Sequence, residues 1–171
     1  MKQTMFNNME SVYFKGIHMI ENQDYDKALT FFENIMDDDH HLIYYGYATA
    51  LFKKKNVGLS EEETRSIIDH YDKAIGKKKN FADAYLFQGM ALEQLASLLT
   101  REYKKNPYID TKKKTELIKG TLLEAKLKIE KAIELNPLFK EIAISEIDRY
   151  NQRIEGIDNL VKYYTAKKNQ N

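Results

Sequence analysis

With 171 residues, 43% of them apolar and 31% charged, the chain is long enough to bury a core and too charged to sit within a bilayer. Lysine and arginine number 27 against 26 acids, so no global excess of positive charge argues for nucleic acid as a partner. The lack of cysteine excludes disulfides, thiolate catalysis and cysteine-ligated metals, and suits the cytoplasm or another reducing compartment.

Apolar residues recur at helical spacing, the only prolines are Pro107 and Pro137, and alternating strand patterns are absent, so residues 1–171 are read as a single all-α domain. The polar start from Met1 to Glu10 lacks the apolar stretch of a signal peptide, and no run approaches about 18 apolar residues, so no membrane span is expected. A first helix pair, about residues 9–40, sets Val12, Gly16 and Met19 on one helix against Ala28, Phe32 and Ile35 on the next. A second, about 41–80, sets Tyr44, Tyr47, Ala48 and Leu51 against Ile67, Tyr71 and Ala74. Within it Ser60 to Glu63 reads as a capping box that opens the second helix after an insertion at Lys53 to Ser60. A third pair, about 81–137, sets Tyr85, Gly89 and Leu92 against Ala125, Ile129 and Ala132 and closes at Pro137, with Gln88 as its poor fit.

These three copies resemble the tetratricopeptide repeat, whose period is about 34 residues; the resemblance covers residues 9–137. It implies a solenoid of three helical hairpins, in which a small residue on each helix lets the pair approach and large residues interlock between them. Each pair alone leaves an apolar face uncovered, so neighbours must stack.

In the third copy about 24 residues exceed the period, and their apolar spacing continues through Leu95, Leu98, Leu99 and Tyr103, then Leu117, Ile118, Leu122 and Leu123. Both helices are therefore expected to lengthen into a projecting hairpin, turning at Asn106-Pro107, with Tyr108 and Ile109 at its tip and Asp110 or Thr111 as cap. Helix-lengthening insertions of this kind are similar in layout to those of the plant-type mitochondrial import receptor, which binds amphipathic segments. Beyond Pro137, Ile147, Tyr150, Ile154, Ile157, Val161 and Tyr164 form one stripe on a helix expected at 139–166. That stripe is read as a cap on the third repeat and the chain as a monomer; the competing use is a homodimer seam. The tail from Lys167 to Asn171 is polar and is expected to fray.

Nothing in the sequence carries catalysis. His18, His40, His41 and His70 have no partner set, the glycines form no phosphate loop, and Asp37 to His41 falls between two helices, where aspartates are expected to cap the next one. No enzyme activity, cofactor or metal is therefore expected. In the family resembled, the first helices line a concave groove that holds a partner's peptide or helix. The matching residues are Tyr13, Ile17 and Ile20, then Leu42, Tyr45, Thr49 and Phe52, then Leu86 and Met90. Tyr44, Tyr47 and Leu51 are assigned to the packing face instead. The lysine, asparagine and arginine clamp of chaperone-binding members is missing: its positions hold Tyr13, Ile17, Gly46, Asp83 and Phe87. A second candidate surface is a basic edge of Lys53, Lys54, Lys55, Arg101, Lys104, Lys105, Lys112, Lys113 and Lys114, suited to an acidic protein, nucleic acid or anionic membrane.

Overall fold

Every stretch with helical apolar spacing forms a helix, and no strand occurs among the described residues. The computed structural model describes the backbone of 2–54, 58–105 and 111–168, and the side chains of 9–54, 58–102, 112–159, 161 and 162. Seven α-helices follow in order: α1 (Lys2–Glu21), α2 (Tyr25–Asn34), α3 (His41–Lys54), α4 (Glu61–Lys77), α5 (Ala82–Lys105), α6 (Thr111–Leu135) and α7 (Lys140–Lys168). Two 3-10 turns, Met36–Asp38 and Pro137–Phe139, link α2 to α3 and α6 to α7. The first helix thus begins ahead of residue 9, and Phe139 belongs to the turn preceding α7. None of the described helices is long and apolar enough to cross a membrane.

Local chemistry fixes the helix ends. Gln23 takes a left-handed conformation, φ 63°, which lets the Asp24 amide reach the Met19 carbonyl at 2.9 Å and the Gln23 amide reach Ile20 at 3.0 Å. This paired closure satisfies carbonyls that the end of α1 would leave bare. At α4 the expected capping box is present: the Glu63 amide donates to Ser60 Oγ at 3.2 Å, and the Ser60 amide to the Glu63 carboxylate at 2.9 Å. Asn136 Oδ1 accepts from the Leu138 amide at 3.2 Å, and Pro137, which has no amide hydrogen to satisfy, begins the turn.

The cap of α3 differs from expectation. No aspartate takes that role; His40 Nδ1 accepts from the Leu42 amide at 3.3 Å. Asp39 is turned away by its left-handed backbone, φ 50°, and its carboxylate accepts from Tyr44 Oη at 2.8 Å and pairs with Lys77 at the end of α4.

Each helix packs against the next in sequence, and α1 also meets α3. The core divides into three layers that follow the helix pairs. The first joins Ile20, Ala28, Phe32 and Ile43; the second joins Ala48, Ile67, Tyr71 and Ala74; the third joins Leu92, Ala125, Ile129, Ala132 and Tyr150. The small and large residues assigned to the second helices, Ala28 with Phe32, Ile67 with Tyr71, and Ala125 with Ile129, are all fully buried. Close approach depends on glycine at three points. A methyl group on Gly16 would lie 2.2 Å from the Phe32 ring and one on Gly46 2.3 Å from it, so this ring is wedged between α1 and α3. On Gly89 it would lie 2.6 Å from Ile129 and 3.0 Å from the Ala125 carbonyl oxygen. Gln88 is fully buried as well; its amide nitrogen donates to the Ile68 carbonyl at 3.3 Å, while its own oxygen has no partner among the described residues.

The third pair is the long one. Helix α5 has 24 residues and α3 has 14, which makes α5 about 15 Å longer. Ile118 and Leu122 fill the space between α5 and α6, whereas Leu117 and Leu123 face outward. The expected tip, Asn106 to Asp110 with the side chains of Tyr103 and Thr111, lies outside the described residues. Helix α7 lies across α6 through Ala143 and Tyr150, both fully buried, flanked by Ile147, Ile154 and Ile157. Lys119 pairs with Asp158 at 2.5 Å, and Arg153 pairs with the mostly buried Glu93 of α5. Four residues of the stripe are thus committed to the third core layer; Val161 is half-buried, and the Tyr164 side chain and the tail from Asn169 lie outside the described residues.

Candidate functional site

A run of aromatic rings crosses the first helices of the three pairs. Tyr13 on α1 lies 6.3 Å from Tyr45 on α3, and Tyr45 lies 6.0 Å from Phe87 on α5, edge to face. Phe81, just before α5, closes on Tyr45 at 4.9 Å, and Tyr71 of α4 backs it at 5.8 Å. Offset and edge-on contacts of this kind add about 0.5–1.5 kcal/mol each beyond burial. Burial raises the phenols of Tyr13, Tyr45 and Tyr71 well above the ordinary tyrosine range, so all three stay neutral. Tyr71 Oη meets Thr49 Oγ1 at 3.3 Å, which gives the buried hydroxyls a partner.

The nine residues expected to line the groove divide by depth. Ile20, Tyr45, Thr49 and Leu86 are buried and belong to the core, and Phe81 and Phe87 of the third pair close on Tyr45 at the centre of the face. Tyr13, Ile17, Leu42 and Phe52 are half-buried, and Met90 is exposed. The same face adds half-buried Phe87, named from the sequence only as a position of the missing clamp, and Phe14, which the sequence did not single out; Phe14 is 64% exposed and lies 5.8 Å from Tyr13. Tyr44, Tyr47 and Leu51, assigned to packing, are only half-buried, and the hydroxyls of Tyr44 and Tyr47 emerge to meet Asp39 and Glu33. Tyr45→Ala is therefore expected to cost about 3–5 kcal/mol of stability, the range for emptying an aromatic site. Tyr44→Ala should cost under about 1.5 kcal/mol. Chemical denaturation of the two variants checks the order, and equal losses would contradict the assignment.

At one end of this face a cleft of about 530 Å³ opens between α1, the start of α3 and the end of α4. His41, through Phe81, links it to the aromatic face, and its walls are Glu10 on α1 and Lys77 and Lys78 at the end of α4, with Asp39, His40 and Leu42. The two imidazoles lie 4.2 Å apart, and His41 meets the edge of Phe81 at 5.2 Å. Burial, then the neighbouring His40 and Lys78, depress His41 to about 4. His40 is depressed by burial and Lys78, against a weaker opposing pull from Asp38 and Glu10. Both rings are neutral at pH 7. Hydrogen bonds from Lys77 and Tyr44 hold the Asp39 carboxyl below its usual range. Among the described residues no three His, Asp or Glu side chains converge as a metal ion would require.

The basic edge is mixed in sign. Lys54 pairs with Asp26, Lys112 lies 3.9 Å from Glu116, and Lys114 shares a pocket with Glu61 and Glu102. Lys53, Arg101 and Lys113 are exposed, while Lys55 and the side chains of Lys104 and Lys105 lie outside the described residues. No family model matches the chain, and no curated protein is significantly similar to it.

Proposed function

We propose that this chain is a tetratricopeptide-like interaction module that holds a polypeptide segment of another protein against the face formed by α1, α3 and α5. The observation that carries this reading is the aromatic run Tyr13–Tyr45–Phe87 across the three helices. Its middle ring is buried as a rigid floor, while Tyr13, Phe14, Phe87 and Met90 keep accessible apolar surface beside it. Large, conformationally restricted rings at the centre of a surface are the side chains that most often dominate the energy of binding a partner. The repeat reading rests on the buried small and large pairs of each layer and on the glycines that admit Phe32 and Ile129. The function is adaptor-like: the module contributes a shape and an apolar floor.

Selection of a displayed library of short random peptides against the immobilised chain in about 0.5 M salt tests this, since phosphate-type electrostatic binding is largely lost there. Amphipathic sequences are expected to be enriched. Phe14→Ser combined with Met90→Ser should weaken the selected peptides by about tenfold without lowering the melting temperature, because both residues are exposed. Failure to enrich any sequence in high salt, together with salt-sensitive binding of a duplex oligonucleotide or anionic vesicles, would transfer the function to the basic edge.

A further inference from the structure

The cleft at the start of α3 opens beside the aromatic face, where His41 meets the edge of Phe81. Its charges are arranged unequally. Asp39 is already engaged by Lys77 and by the Tyr44 hydroxyl. Lys78 has no carboxylate partner among the described residues; its ammonium rests 5.5 Å from the centre of the Phe81 ring, a weak attraction that leaves its charge unneutralised. Glu10 stands on the opposite wall. At the imidazole floor Lys78 is felt at both rings: it lowers His41, and at His40 its effect exceeds that of Asp38 or of Glu10 taken singly. The neutral His41 ring lines the floor without bringing a charge of its own.

We infer that this cleft receives an acidic side chain, aspartate or glutamate, from the same partner segment whose apolar residues lie on the α1–α3–α5 face, with the Lys78 ammonium as its counter-charge. This rests on the proposed function and adds a chemical class to it: the partner is an amphipathic segment with a carboxylate at the end that lies by Leu42. A partly enclosed cleft strengthens such a contact over one on an open surface, because less water intervenes. Glu10 limits what else enters: a phosphate, with more charge and bulk than a carboxylate, meets repulsion from that wall.

The test uses three synthetic peptides with the same leucine stripe, a glutamate-flanked and a glutamine-flanked pair and a lysine-flanked control, titrated by fluorescence anisotropy in low salt. Wild type should bind the glutamate peptide about tenfold more tightly, the scale of one charge-assisted hydrogen bond in a partly enclosed site. Lys78→Gln should abolish that preference while leaving affinity for the glutamine peptide unchanged, and Lys53→Gln on the basic edge should leave the preference intact. Equal binding of the glutamate and glutamine peptides by wild type, or a preference removed by Lys53→Gln and not by Lys78→Gln, overturns the carboxylate site and leaves the aromatic face standing. Tighter binding of a lysine-flanked peptide, lost in Glu10→Gln, reverses the sign of the site and equally overturns it. If none of the three peptides binds, the aromatic face itself is wrong, and the inference falls with it.

Discussion

Gly46→Ala is expected to destabilise the protein by about 2 kcal/mol or more, although alanine is the better helix former by about 1 kcal/mol. The added methyl would stand 2.3 Å from the tip of the Phe32 ring, which Gly16 confines from the opposite side at a similar distance, so the ring cannot swing clear. Gly120→Ala and Gly156→Ala provide the contrast. Both lie inside helices with nothing within 4 Å of the new methyl, and each should stabilise by about 0.5–1 kcal/mol. The decisive variant is the double substitution. On a Phe32→Leu background, itself destabilised by lost packing, Gly46→Ala should become neutral or favourable, because the smaller side chain vacates the contested space. Urea denaturation of the four members of that cycle measures the coupling. Additive effects of Gly46→Ala and Phe32→Leu would show that the ring is not held between the two helices.

The second large effect concerns α7. Deleting residues 140–171 removes Ala143 and Tyr150, both fully buried, and with them the Ile147, Ile154 and Ile157 side chains that cover the outer face of α6. At about 1.5–3 kcal/mol for each large apolar side chain, the loss equals much of a domain's net stability. The truncated chain should aggregate, or melt at a markedly lower temperature and bind a hydrophobic dye. A truncated chain that stays a well-folded monomer, with the full chain a dimer, would mean that the stripe serves a second copy instead. Point variants refine the test within the intact protein. Tyr150→Ala should cost about 3–5 kcal/mol, whereas Tyr150→Phe should cost almost nothing, because the buried hydroxyl has no hydrogen-bond partner among the described residues.

What the sequence disclosed was periodic, and what it concealed was depth. Ala28, Phe32, Ile67, Tyr71, Ala125 and Ile129 could be picked out because small and large residues recur at fixed separations on helices that must approach closely. Ser60 and Glu63 were legible because a capping box is local chemistry, complete within four residues. The lengthening of α5 and α6 was legible because helical apolar spacing continues past Leu92 through Leu95, Leu98 and Leu99 and resumes at Leu117, Ile118 and Leu122. By contrast, repeat register assigns Tyr45 to a face but cannot say what covers it; Phe81 and Phe87, which bury it, come from the following pair. Gly46 was likewise silent, since its partner Phe32 belongs to a neighbouring hairpin. His40 was passed over as a cap because three aspartates precede it, and the left-handed backbone at Asp39 is what turns that carboxylate elsewhere. Leu59, buried at 4% exposure in the connection before α4, carried no signal because one leucine in a loop has no periodicity to betray it.

The division of the core into three layers has a consequence for how such a chain can change over generations. A single continuous core must be repacked as a whole when one residue grows or shrinks. Here each layer settles its own volume: glycine faces a phenylalanine ring in the first, alanine and tyrosine share the second, and glycine faces isoleucine in the third. Three different solutions coexist in one molecule, joined where Tyr13 meets the first two layers and where Ile68 and Tyr85 meet the last two. A mutation and its compensating partner therefore meet within one helix pair and its neighbour, and much of one layer can change without the whole core being repacked.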